Sequence, residues 1–237
     1  MNDLFDLIHQ RHSARVAYDP HRPIARSELD AILDAASWAP TAHNMQNFEM
    51  IVVDDPDLLR VVGAIKTKID PVFLRENFAQ LSFSFEELQQ KRTGVVASMF
   101  PPAWRTPGGD FEAVAAALSP TPLSVSMQNC PCLVLVLYDT RKRAPASEGD
   151  VLGFISLGCV MENMWLAAHS FGIGAQILSV FSSPAVEKEL RRLLDFPEHL
   201  RIAYAWRLGH PAATREYIRV RRDVRSFTHL NGYGTKY

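Results

Sequence analysis

Between Val151 and Phe171, apolar side chains fall on almost every face of a helical repeat, with Ile155, Leu157, Val160, Met161, Met164, Leu166 and Ala167 prominent. A helix that is apolar all round cannot rest on a surface; other elements must enclose it. Gly172 stands where a left-handed cap is wanted, so the helix has a defined end. This stretch demands a fold built in layers around one central helix. The chain has 237 residues, 47% of them hydrophobic, which is enough for such a core.

The surrounding elements are legible on both sides of it. From Asp3, the residues Leu4, Phe5, Leu7 and Ile8 recur at helical spacing and lead into the basic segment Gln10 to Arg15. Ser27, with Asp30 three residues on, predicts a capping box for a second helix carried by Leu29, Ile32, Leu33 and Ala36 and stopped by Pro40. Phe48-Glu49-Met50-Ile51-Val52-Val53 predicts a strand that closes at Asp54-Asp55-Pro56, and Leu58, Leu59, Val62 and Ile65 carry a third helix. Cys132 to Tyr138 is continuously apolar, as in a buried strand. Ser183-Pro184 predicts a cap and first turn for a helix through Val186, Leu190, Leu193 and Leu194, and a last strand spans Leu200 to Leu208.

Two stretches stand apart. From about residue 63 to 122 no strand is evident, and Pro101-Pro102 and Pro107-Gly108-Gly109 interrupt what reads as a mostly helical excursion. From Gly209 on, the tail is rich in Arg and poor in large aliphatics, so it is expected to lie across another surface, naturally that of a partner subunit. With no repeat and no dividing linker, the expectation is one domain over 1–237, carrying an insertion at about 63–122 and a dimer-wrapping tail from about 210.

Charge and cysteine usage narrow the function classes. Lys plus Arg number 25 against 26 Asp plus Glu, a net charge of −1, which disfavours nucleic acid and acidic membrane surfaces as partners. Three cysteines, two of them beside the buried strand, point to a reducing cytoplasm. The first dozen residues carry acids where a signal peptide wants bases, and no targeting segment or membrane anchor is expected. Cys130-Pro131-Cys132 has the wrong spacing for zinc and the eight histidines are scattered, so no metal is expected. Gly172-Ile173-Gly174 follows a helix instead of opening one, against a dinucleotide fingerprint. No triad or nucleophile elbow is evident.

Three segments carry chemistry. Arg11-His12-Ser13-Ala14-Arg15 offers two guanidinium groups and a hydroxyl, the inventory a phosphate monoester needs, and equally that of a solvated basic helix end. Pro40 to Asn47 offers neutral donors and acceptors on Thr41, His43, Asn44 and Gln46, suited either to the polar edge of a flat heterocycle or to an ordinary turn. Arg219-Val220-Arg221-Arg222-Asp223-Val224-Arg225 is a local cluster of positive charge that could hold phosphate or lie in solvent.

Taken in order, with the central helix and Gly172-Ile173-Gly174-Ala175 between them, these segments resemble the FMN-dependent nitroreductase family over residues 1 to about 62 and 122 to about 225. The resemblance implies an α+β fold, a central mixed or antiparallel sheet flanked by helices, in an intertwined homodimer with an FMN at each end of the interface. It implies that Arg11, His12, Ser13 and Arg15 grip the FMN phosphate and ribityl chain and that Arg222, with Arg221, closes on the same phosphate. Pro40, Thr41, Ala42 and Asn44 would reach the isoalloxazine from the opposite subunit, and Leu178 and Ser179 would set backbone groups against flavin N5. No side chain is then catalytic, because the chemistry resides at N5. The implied activity is ping-pong transfer from NADH or NADPH, as transient co-substrate, to a nitroaromatic, quinone or similar electron-poor acceptor. Within the same fold a dehalogenase, a flavin-fragmenting enzyme or a small-metabolite dehydrogenase is the alternative, and outside catalysis a flavin-binding or sensor protein. Asn47-Phe48 and Val180 depart from the family's usual Pro-Trp and Gly. The excursion, with Phe73, Phe78, Phe83, Phe85, Phe100, Trp104 and Phe111, reads either as a lid choosing flat acceptors or as a satellite core.

Overall fold

The computed structural model describes residues 4–99, 109–213 and 217–236. In chain order the helices are α1 (Leu4–Gln10), α2 (Arg26–Ser37), α3 (Pro56–Ala64), α4 (Pro71–Leu81), α5 (Phe85–Lys91), α6 (Phe111–Leu118), α7 (Ser124–Met127), α8 (Val151–Ser170) and α9 (Pro184–Leu194). The main sheet has four strands, which we number β1 (Phe48–Val53), β2 (Cys132–Asp139), β3 (Gly174–Leu178) and β4 (Leu200–Gly209), and their spatial order is β1-β2-β4-β3 with every pairing antiparallel. The fold is therefore α+β with an antiparallel central sheet.

Both faces of that sheet are covered, which is why β2 is apolar without alternation. Cys132, Val134 and Val136 point to one face, where they join Leu29, Ile32 and Ala36 of α2 and Leu157, Val160, Met164 and Ala168 of α8. Leu133, Leu135 and Leu137 point to the other, against Val62 of α3, Met127 of α7, and Val186 and Leu190 of α9. Successive residues of a strand face opposite ways, so one apolar run serves two cores. A register shift between Val136 and Leu137 lets β4 change parity, and Ile202 then joins the second core while Tyr204 and Trp206 join the first.

The chain divides into two compact units, Met1–Thr67 with Pro122–Arg215, and Lys68–Thr121 with Glu216–Tyr237. The first holds the sheet. In the second, α4 packs on α6, and Ser82–Phe83 pairs in parallel with Val95–Val96. Phe78 and Phe111 lie 6.3 Å apart there. Phe100, Trp104 and the Pro101-Pro102 and Pro107-Gly108 dipeptides named above lie outside the described residues.

Several local expectations need correction. The second helix is not capped by Ser27 with Asp30: it starts at Arg26, and Glu28 reaches back to accept from the Ala25 N–H at 3.1 Å, while Asp30 pairs with Arg26. Ser183 does precede α9 but its hydroxyl makes no cap bond, and Pro184 alone sets the first turn. Gly174–Leu178, for which no strand is predicted, forms the sheet edge. Finally, α8 is enclosed only in part. Gly153, Ser156, Leu157, Val160, Met164 and Ala168 are buried, yet Val151 and Ile155 are 56% and 55% exposed, and Leu152 and Phe154 are exposed with them. By length and composition the stretch Glu148–Ser170 could also cross a membrane, but here it is the core helix on which α2 and β3 pack.

Candidate functional site

The basic segment leaves α1 and is held at nearly every residue. Arg11 N–H closes the helix onto the Leu7 carbonyl at 2.9 Å, Trp165 Nε1 donates to the His12 carbonyl at 3.0 Å, and Ala14 N–H donates to the Ala175 carbonyl at 3.0 Å. The last bond seats the segment along the outer edge of β3, the edge that β4 does not pair. Close approach there requires glycine. A Cβ on Gly174 would lie 2.8 Å from Ala14 Cβ, and one on Gly209 would lie 2.6 Å from the Tyr18 ring. Gly174 thus serves backbone packing, whereas Gly172, with open space around it and a φ of 69°, serves the turn that follows α8.

Within the segment, Ala14 is buried, Ser13 half-buried and Arg15 exposed. The Arg11 guanidinium sits 4.4 Å over the Trp165 ring, and its Nε lies 3.3 Å from Glu162 Oε1 but outside hydrogen-bonding geometry, leaving a buried donor without an acceptor. His12 turns its Nδ1 to within 2.9 Å of the Gln10 carbonyl and meets His169 edge-on at 5.6 Å.

Behind the segment stands a residue that sequence reasoning did not single out. Arg207 of β4 is fully buried, and its Nη2 donates to the carbonyls of Ala14 at 2.8 Å and Val16 at 2.9 Å. Its Nε donates to Gln176 Oε1 at 2.9 Å and its Nη1 to the Met127 carbonyl at 3.1 Å. The available signal was a lone charge inside the apolar strand Ala203-Tyr204-Ala205-Trp206-Arg207-Leu208.

The second segment, Pro40 to Asn47, is a strained loop. His43, Asn44 and Gln46 all adopt positive φ, at 52°, 52° and 42°, a conformation that costs a non-glycine residue about 1 kcal/mol or more and persists only where surroundings over-determine it. Here they do. Ala42 N–H donates to Ser156 Oγ at 3.0 Å, Lys142 Nζ to the Gln46 carbonyl at 3.2 Å, and Asp139 N–H to the Asn47 carbonyl at 2.9 Å. Thr41 Oγ1 accepts from the Gln46 N–H and Asn44 Oδ1 from Gln46 Nε2, each at 3.2 Å, so these oxygens serve the loop itself; Pro40 is exposed. Ser156, Lys142 and Asp139 are further residues that no local pattern marks. The loop is anchored on α8 at Ser156 and the basic segment at Trp165, nine residues or roughly 13 Å apart along the helix. Within the chain these two anchors are at opposite halves of α8.

Leu178 ends β3, and the exposed Ser179 opens the short 3-10 turn Ser179–Ser182. From Ala175 to Leu178 is three residues of extended strand, about 10 Å. Arg221 and Arg222 belong to the second unit, where both are exposed: the Arg221 carbonyl accepts from Arg92 Nε at 2.7 Å, and Arg222 donates to Ser226 Oγ and carbonyl at 3.2 and 2.9 Å.

The donors of the candidate site are guanidinium groups, a hydroxyl and backbone N–H groups, an inventory suited to binding and polarising, and among the described residues no nucleophile stands beside a base in it. Burial pushes the thiols of Cys130 and Cys132 up to about 11 and about 12, so neither is a thiolate at neutral pH. The guanidinium groups of Arg11 and Arg15, the first with an unmatched Nε donor, and the Ser13 hydroxyl suit a phosphate monoester.

The sequence profile of the nitroreductase family matches residues 8–210. A protein of Archaeoglobus fulgidus with the provisional name NADH dehydrogenase/NAD(P)H nitroreductase is 24% identical over 217 residues, which are 92% of this chain and 90% of that one. The CLA biosynthesis enone reductase of Lactiplantibacillus plantarum is 35% identical over 80 residues, so the match spans 34% of this chain and only 33% of that protein. Among solved structures, a nitroreductase with bound FMN from Bacteroides fragilis superposes with a TM-score of 0.60 at 20% identity, covering 97% of this chain and all of the other.

Proposed function

Because the chain belongs to the nitroreductase family, we propose that it is a homodimeric FMN-dependent NAD(P)H oxidoreductase that reduces electron-poor acceptors such as nitroaromatics and quinones in a ping-pong cycle. The observation that carries this reading is the Ala14 to Ala175 bond, which lays the basic segment along β3 with Leu178 and Ser179 about 10 Å further on. That is room for a phosphate at one end and a ring at the other. FMN held there would supply the redox chemistry, hydride transfer between nucleotide and acceptor. The protein's part is to hold and to orient.

In this assignment Arg11, Ser13 and Arg15 take the phosphate, with His12 setting the segment's course and Arg221 and Arg222 of the tail adding charge. Backbone groups at Leu178 and Ser179 face the reacting edge of the ring. Pro40, Thr41, Ala42 and Asn44 serve the partner's flavin, which accords with the separate anchors of the two segments along α8. The exposed apolar side chains of α8, together with Leu4, Phe5 and Ile8 of α1, are the surface a second copy covers.

The purified protein should show the visible bands of oxidised flavin, directly or after reconstitution with FMN, and NADH or NADPH under nitrogen should bleach them. A protein that cannot be reconstituted with FMN refutes the assignment. The partial match to an enone reductase favours a second acceptor class, an activated carbon–carbon double bond; steady NAD(P)H oxidation with menadione, a nitroarene and cyclohexenone in parallel ranks them.

A further inference from the structure

We infer that Arg207 is a positioning residue for phosphate recognition: its buried guanidinium clamps the backbone of the Ala14–Val16 segment from behind, so that Ser13 and Arg15 are presented in one fixed arrangement. This rests on the flavin assignment above and assigns a role to a residue distant from that segment in sequence. A guanidinium taken wholly out of water is tolerated only if its N–H groups are hydrogen-bonded. Arg207 meets this with four acceptors from three separate parts of the chain: the Ala14 and Val16 carbonyls, the Met127 carbonyl at the end of α7, and the Gln176 side chain directly across from it on β3. None of the four can move without unpairing a buried charge-assisted bond.

The geometry gives the clamp its direction. One nitrogen, Nη2, takes both Ala14 and Val16 carbonyls, which turns two alternate peptide groups inward and leaves Arg15 between them exposed. Tyr18 closes the clamp: its ring lies 4.5 Å from the guanidinium carbon, and its hydroxyl donates to the Arg207 carbonyl at 3.2 Å. Through Gln176 the same guanidinium ties this segment to β3, the strand that ends at Leu178. A planar fork is needed to span these acceptors; a lysine ammonium would reach only some of them.

The test compares FMN with riboflavin, which lacks the phosphate. Wild-type, Arg207→Met, Arg207→Lys and Gln176→Ala proteins are titrated with each flavin by fluorescence quenching, after circular dichroism has confirmed folding. Wild type should prefer FMN. Arg207→Met should lose about tenfold or more in FMN affinity while riboflavin affinity changes less than about threefold. Arg207→Lys and Gln176→Ala should lose less, in the same direction, and they carry the test if Arg207→Met does not fold. Variants that keep the wild-type FMN to riboflavin ratio, including variants that weaken both flavins equally, would overturn the clamp. A wild-type protein with no preference for FMN would overturn the phosphate assignment itself.

Discussion

Arg207 Nη2 and the carbonyl oxygen of Ala14 meet at 2.8 Å although 193 residues separate them in the chain. The contact joins the last strand of the sheet to the first loop. It exists because two glycines let that loop approach the sheet: a side chain on Gly174 or Gly209 would collide with Ala14 or Tyr18.

Gly209→Ala should therefore destabilise the fold by about 1–3 kcal/mol, the usual cost of forcing an extra carbon into a close-packed core. The Tyr18 ring that the new Cβ would strike is fully buried and also touched by Arg207, so it has nowhere to swing. Urea unfolding checks this, and an unchanged midpoint would show that the loop yields.

Ser156→Ala should release the strained loop. Its hydroxyl accepts from Ala42 N–H and donates to the Leu152 carbonyl at 2.7 Å, so removing it orphans the Ala42 donor at a stability cost of about 1 kcal/mol. Faster amide exchange confined to residues 41–47 is the expected signature; protection equal to wild type would mean that Lys142 and Asp139 suffice.

An acidic group on the exposed face of α8 should separate the subunits of the proposed dimer. Ile155→Asp places a charge where a second copy is proposed to bury apolar surface, and light scattering after size exclusion should report a monomer. Persistence of a dimer would move the interface elsewhere.

The two buried thiols give a pH dependence. Folded Cys130 and Cys132 titrate near 11 and 12 because burial disfavours the thiolate, against 9.0 unperturbed. A folded-state pKa raised in this way stabilises the protein below the unfolded value, and that contribution is lost as pH rises from about 9 through 11 and 12. Denaturant midpoints should fall across that window. At pH 8 no more than one of the three thiols should react quickly with a disulfide reagent in the native protein, and all three in denaturant.

Much of the framework follows from local pattern. The run Phe48 to Val53, the continuous apolar stretch from Cys132 and the helical stripes of α2 and α9 are periodic signals, and they fold as periodicity dictates. Caps are less legible, because Ala25 and Glu28 compete with Ser27 and Asp30 within one turn and only the entry path of the chain decides between them. The edge strand Gly174–Leu178 has little β-branched content and two small residues at its start; it is a strand because Ala14 and Tyr18 pack against it and β4 pairs with it.

The candidate site divides in the same way. Arg11, Ser13, Arg15, Thr41 and Asn44 are legible as polar inventory, since residue type and spacing along a loop are properties of the sequence. Where they go is not. Arg207, Gln176, Trp165 and Ser156 fix those loops, and each acts through a hydrogen bond to a segment at least 114 residues away or across a strand pair. The sequence alone determined the strongly periodic elements and the chemistry the loops carry, because periodicity and side-chain type act over a few residues. Only the tertiary structure decided how the basic segment and the strained loop are held, because burying a charged or polar group forces it to find partners wherever the packed chain supplies them.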